Sequence, residues 1–197
     1  EVKFTTSEGT WMSVDISSDG QTIAFDLMGD IYTMPATGGK ATRVTTGIAY
    51  ETHPRFSPDG KKILFTSDRT GSDNIWYIDM EKKDTVQLTK DRTEDYPSAV
   101  WTPDGEYIIA SRGRRLPKLW MYHKDGGGGI QLNEQPVGMK TIDPFVSADG
   151  TRPISAIPGS PGFSAPISRK RWCIWPRSSQ PGATRRAIML STCSAPG

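Results

Sequence analysis

Apolar and polar positions alternate over short stretches of this chain, and the stretches come in sets. Residues 61–67 (KKILFTS) and 74–79 (NIWYID) are β-branched and aromatic, the mark of half-buried strands, and a polar loop, DRTGSD, lies between them. TVQLT at 85–89 makes another short strand. Ser57-Pro58-Asp59-Gly60, ahead of the set, is a tight-turn sequence. Proline presets φ, aspartate bonds its own backbone, and glycine accepts positive φ.

The set recurs. The aromatics ending DIY, NIW and KLW fall at Tyr32, Trp76 and Trp120, spaced 44 and 44. Val44, Leu88 and Leu132, from RVT, QLT and QLN, repeat the same interval. Asp-Gly pairs begin at Asp19, Asp59, Asp104 and Asp149, spaced 40, 45 and 45. Four strands in about 44 residues is the size of one β-propeller blade. The expected fold is therefore all-β: an incomplete β-propeller of about three four-stranded blades with an irregular C-terminal tail. The blades are expected at about 10–46, 47–90 and 91–133, with a fourth begun at 139–150. EVKFTT matches TVQLTK, so residues 2–5 are expected to be a closing strand that removes a sheet edge.

These phrases carry a family resemblance. FSPDGKKILFTSDRTGSDNIWYIDM followed by QLT resembles the TolB-type repeat, a relative of the WD-type blade without its Trp-Asp signature. The run from GTWMSVDISSDG to RFSPDGKKI is similar to the N-terminal propeller of exported bacterial amidohydrolase-related proteins and to the first propeller of tricorn-type peptidases. The resemblance covers residues 1–150. It implies six or seven blades and a periplasmic or secreted protein. It also implies a role in binding, gating or orienting partners and substrates, with catalysis in a separate metal-dependent barrel or peptidase domain. The residues that carry it are framework residues, which transfer fold rather than chemistry.

Composition changes abruptly near Gly150. All 22 acidic residues lie before it, whereas residues 151–197 hold seven Lys and Arg, seven Pro, both cysteines (Cys173 and Cys193) and no acid. Proline at that density disfavours strand ladders. The tail reads as a frameshifted or scrambled segment, or alternatively as a natural disordered basic linker. Three blades alone cannot close a ring, so homo-oligomerisation through open blade edges is expected, two chains approximating a six-bladed ring. The chain begins at Glu1 without an initiator Met or an apolar leader, and it has no apolar run of membrane-spanning length.

Chemistry-bearing constellations are sparse. His53 and His123 stand 70 positions apart with no His-x-His pair, so no metal centre, cofactor or catalytic residue is assigned. His123 is expected on an exposed strand. PGSPG lacks nucleophile-elbow spacing. Gly126–Gly129 is expected to be a loose hairpin turn, since no Lys-Ser/Thr follows it to make a phosphate cradle. Asp68, Asp73 and Asn74 are weak Ca²⁺ candidates, with turn chemistry the stronger reading. Asp68 and Arg69 are placed to form an ion pair bracing the hairpin.

The loops leading into each blade's first strand are AYETHPRF and TEDYPSAVW. They nominate Tyr50, Glu51, His53, Arg55, Glu94, Asp95 and Tyr96 as channel-mouth binding residues, Tyr for contact and the acids for cations. The opposing interpretation is that Tyr and Pro pack between blades. Arg112, Arg114, Arg115 and Lys118 form a basic loop suited to an acidic partner or a solvated surface. The net acidity of residues 1–150 argues against nucleic acid. The function favoured is a non-catalytic binding, interaction or substrate-gating module. It would engage a protein or peptide partner, or an attached hydrolase domain. The alternatives are a hydrolase acting on a small substrate or peptide at the channel mouth, and carbohydrate binding on exposed Tyr and Trp.

Overall fold

A computed structural model describes residues 5–9, 11–132 and 140–147 and the strand segments 153–156, 172–175 and 189–192. The described residues are strand, turn and loop, with no helix among them. The chain divides into two compact units, Glu1–Lys90 and Asp91–Gly197.

Unit 1 holds two antiparallel four-stranded sheets. Blade 1 is β1 (Val14–Ile16), β2 (Thr22–Leu27), β3 (Asp30–Pro35) and β4 (Thr42–Arg43), paired in chain order. Blade 2 is β5 (Glu51–Phe56), β6 (Lys62–Ser67), β7 (Asn74–Asp79) and β8 (Thr85–Gln87). Unit 2 holds blade 3: β9 (Ala99–Trp101), β10 (Tyr107–Arg112), β11 (Lys118–His123) and β12 (Gly126–Gln131). It also holds a pair made of β13 (Ile142–Val146) and β14 (Pro153–Ala156), and a pair made of β15 (Trp172–Trp175) and β16 (Met189–Thr192).

The repeated letters map onto repeated bonds. In each blade the turn between the first two strands closes on itself. Ser17, Ser57 and Thr102 hydroxyls donate to Asp19, Asp59 and Asp104 at 2.5, 2.6 and 2.5 Å. The glycine that follows each aspartate, Gly20, Gly60 or Gly105, has φ of 69°, 70° or 69°, which a side chain would strain. The repeat's aromatic pairs with the same position of the second strand each time: Phe25 with Tyr32, Phe65 with Trp76, Ala110 with Trp120. Past the apolar marker, the Thr45 and Thr89 hydroxyls accept the N–H of Ile31 and Ile75, both at 2.9 Å.

Each unit has its own core. In unit 1, Ala24 and Ile31 of blade 1 pack with Ile63, Phe65, Trp76 and Ile78 of blade 2. In unit 2, Ile109, Leu119, Met121 and Leu132 form the cluster, and Val146 of β13 packs on it. Each fully buried Ile, Leu, Phe or Met side chain among these contributes about 1.5–3 kcal/mol.

Three expectations change. The glycine run is not a turn: Gly126–Gly129 opens the outer strand β12. The Tyr122 ring lies so close to Gly129 that a Cβ there would fall 2.4 Å from it, so glycine is what the strand requires. Arg69 pairs with Glu51 rather than Asp68. Strand pairing also occurs past Gly150, in β14, β15 and β16, with Pro153 at the first position of its strand, where proline is tolerated. The remaining residues of 151–197, and with them the frameshifted or disordered reading, lie outside the described residues. So does the closing strand at 2–5, apart from Thr5.

Candidate functional site

The first strand of blade 2 carries a bulge between Thr52 and Arg55. Pro54 cannot donate to the ladder, and His53 ahead of it adopts φ 56°, a left-handed conformation costing about 1–3 kcal/mol. That twist sends the His53 N–H to Asp26 Oδ2 at 2.9 Å. The other oxygen, Oδ1, accepts the N–H of Ser13 at 2.8 Å. One carboxylate, only 6% exposed, thereby joins the leading segments of blades 1 and 2. Asp15 of β1 adds a second clasp, accepting the Phe56 N–H at 2.7 Å.

Unit 2 contains the same device with different chemistry. Asp143 precedes Pro144, has φ 50°, and donates its N–H to the Ser98 hydroxyl at 3.1 Å. A neutral hydroxyl there holds the bulge that a carboxylate holds in unit 1.

Beside Asp26 is a half-open cavity of about 660 Å³, lined by residues of unit 1. Its walls include Glu8, Trp11, Asp26, Met28, Tyr50 and His53. Trp11 is fully exposed, and Met28 and Tyr50 are largely so. The Tyr50 ring lies over Gly29, where a Cβ would approach to 2.9 Å, and the Tyr50 N–H donates to Asp68 Oδ1 at 2.7 Å. The His53 ring sits 3.1 Å from the Thr52 hydroxyl.

The sequence-nominated residues are thus distributed unevenly. Tyr50 and His53 line the cavity. Glu51 is 1% exposed and turned into its blade, paired with Arg69, while its Oε2 is buried without a hydrogen-bond partner. The Arg69 guanidinium lies 5.2 Å from the Trp76 ring. Arg55 reaches back to the Val14 carbonyl at 3.3 Å.

The other three lie in unit 2. Tyr96 is 2% exposed, and its hydroxyl meets that of Tyr122 at 3.0 Å. Burial pushes the Tyr96 phenol far above its ordinary range. Asp95 pairs with Arg114 at 3.2 Å, and Glu94 is half-buried. Of the basic loop, Arg112 pairs with Asp91 at 2.6 Å and stacks 4.4 Å from Trp120, Arg115 is exposed, and Lys118 opens β11. His123, exposed at the end of β11, packs edge-on to Tyr107 at 5.4 Å.

Asp68 and Asn74 are committed to the chain's own hydrogen bonds, Asn74 to Ser72 and Thr89. Among the described residues, no group of three His, Cys, Asp or Glu side chains is placed to hold a metal ion.

Trp11, Asp26, Met28 and Glu8 were not nominated by the sequence. A signal for Trp11 was present: it stands 40 positions before Glu51, which stands 45 before Tyr96, the intervals of the Asp-Gly pairs. At this shared position Glu51 and Tyr96 are buried while Trp11 is exposed.

Repeated four-stranded sheets with self-closed Asp-Gly turns define the class as a β-propeller of the TolB and tricorn type. The family described as the Tricorn protease N-terminal beta propeller domain matches residues 3–155, and the chain belongs to it. Tricorn protease homolog 1 of Streptomyces coelicolor is 32% identical over 123 residues, covering 60% of this chain. The chain spans only 12% of that relative's length. A TolB-type structure from Agrobacterium tumefaciens superposes with a TM-score of 0.68 at 22% identity, covering 82% of this chain and 60% of its own. TolB from Acinetobacter baumannii gives 0.67 at 23% identity, covering 92% and 43%. At such identities the structural likeness is one of fold. Among the described residues no helix is long and apolar enough to cross a membrane.

Proposed function

We propose that this chain is a non-catalytic binding module, and that it presents the cavity end of blades 1 and 2 to a peptide or protein. In this reading the chemistry belongs to other parts of a longer polypeptide, of the hydrolase or peptidase kind. The observation that carries the reading is the exposed set of Trp11, Met28 and Tyr50 in unit 1, which together line a cavity with acidic walls. Large apolar side chains are seldom left in water together unless a partner covers them. The family resemblance supports an exported location for the parent protein, which fractionation of the native host checks.

The test is selection from a peptide library displayed on phage, using the full chain as bait. Enriched peptides are expected to lose binding to a Trp11→Ala/Tyr50→Ala variant and to be recovered uncleaved by mass spectrometry. No enrichment, binding indifferent to those substitutions, or turnover of the peptides would each overturn the reading.

A further inference from the structure

We infer that the cavity in unit 1 receives the lysine or arginine side chain of a partner peptide, its cationic tip against Asp26 and Glu8 and its stem along Trp11 and Tyr50. This rests on the reading of the same surface as a binding face and names the chemistry it selects.

The starting point is a buried charge that no cationic side chain offsets among the described residues. Asp26 is 6% exposed, its two oxygens accept backbone N–H groups from Ser13 and His53, and among the described residues no cationic side chain pairs with it. A buried carboxylate is normally balanced by an opposite charge, because hydrogen bonds alone leave much of its desolvation uncompensated. Both Asp26 oxygens are used by the backbone, whereas the equivalent bulge at Asp143 is held by the neutral Ser98 hydroxyl, so it is the unit 1 bulge that brings a negative charge into the structure. That negative charge lies on the wall of a cavity.

The rest of the lining agrees. Glu8 supplies a second carboxylate, and the cavity wall includes no lysine or arginine among the described residues. Trp11 and Tyr50 offer aromatic faces, on which a cation is worth about 0.5–1 kcal/mol at an exposed site. Acids at one wall and aromatic and thioether surface at another match a charged tip on an apolar stem. An acidic or purely apolar side chain would leave Asp26 uncompensated.

The experiment titrates the full chain with the blocked tripeptides Gly-Lys-Gly, Gly-Arg-Gly and Gly-norleucine-Gly, and with n-butylamine, following backbone amide shifts by NMR. The lysine and arginine peptides are expected to move amides near residues 8–13, 26–29 and 50–53, with the norleucine peptide about tenfold weaker. Glu8→Gln, which removes an exposed charge outside the sheets, should weaken the cationic peptides about two- to fivefold. Trp11→Ala should weaken them about threefold or more. Equal binding of the norleucine peptide, no effect of Glu8→Gln, or shifts confined to other surfaces would overturn the inference. Binding of n-butylamine as tight as that of the peptides would overturn the peptide assignment in favour of a free amine. Phage-selected peptides that need Trp11 and Tyr50 yet carry no lysine or arginine would sink this inference alone, leaving the binding module intact. Failure of every peptide to bind would sink both.

Discussion

The backbone N–H of His53 donates to the Asp26 carboxylate at 2.9 Å, although the two residues lie 27 positions apart on different blades. The same carboxylate holds Ser13, so a single side chain fixes the leading segments of two sheets.

Removing that carboxylate should loosen both blades. Asp26→Ala strands two half-buried N–H donors and is expected to lower unfolding free energy by about 2–4 kcal/mol, read by urea denaturation. Asp26→Asn retains one acceptor oxygen and should lose about half as much. An alanine variant within about 0.5 kcal/mol of the parent would show that the clasp does not contribute.

Blade position decides the worth of an aromatic more than its letter does. Phe25 and Phe65 sit at the same register position, opposite Tyr32 and Trp76, yet Phe65 is buried between blades and Phe25 is half-buried. Phe65→Ala should cost about 3–5 kcal/mol, and Phe25→Ala about 1–2 kcal/mol, in proportion to the area each keeps from water. Equal losses in thermal or urea unfolding would contradict the packing described.

Acid should act through the repeated turns. The Ser57 hydroxyl holds the Asp59 carboxyl below its ordinary 3.8, and Ser17 does the same for Asp19. At Asp91 burial pushes upward, but the Thr93 N–H and Arg112 outweigh it and the group ends below 3.8. A carboxyl depressed in the fold lends stability that is present above its unfolded value and lost as pH falls toward its folded one. Melting temperature should therefore hold down to about pH 5 and drop below about pH 4. A Ser17→Ala/Ser57→Ala variant should show a shallower drop; an identical profile would rule the turns out as its source.

Alkaline titration should separate the tyrosines. Burial raises both the Tyr96 and Tyr122 phenols above 10.0. A raised folded value means that the contribution is complete below the unfolded value of about 10 and is lost above it. Two of the six tyrosines should stay protonated until the chain unfolds, as followed by near-ultraviolet absorbance. Tyr96→Phe should cost about 1–2 kcal/mol by removing one partner of the Tyr122 hydroxyl. Six phenols ionising together would refute the buried pair.

The turns were legible because their chemistry is local. Ser57, Asp59 and Gly60 complete their bonds within a few residues, so the letters predict the geometry. The glycine run was not, because glycine density ordinarily signals a turn, whereas Gly129 is required here by the Tyr122 ring on the neighbouring strand. The candidate site was legible only in part. Trp11, Glu51 and Tyr96 share one repeat position, but their burial depends on what neighbouring segments supply, such as Arg69 beside Glu51. Asp26 is one acid among many until its position beside the His53 bulge is seen.

The self-closed hairpins have a kinetic corollary. Each draws its bonds from within about six residues, so loop closure is inexpensive and any of the three can act as a nucleus. A nascent chain leaving the ribosome could organise blade by blade, in the order of synthesis. The long-range clasps, which need partners dozens of positions away, would then lock in afterwards.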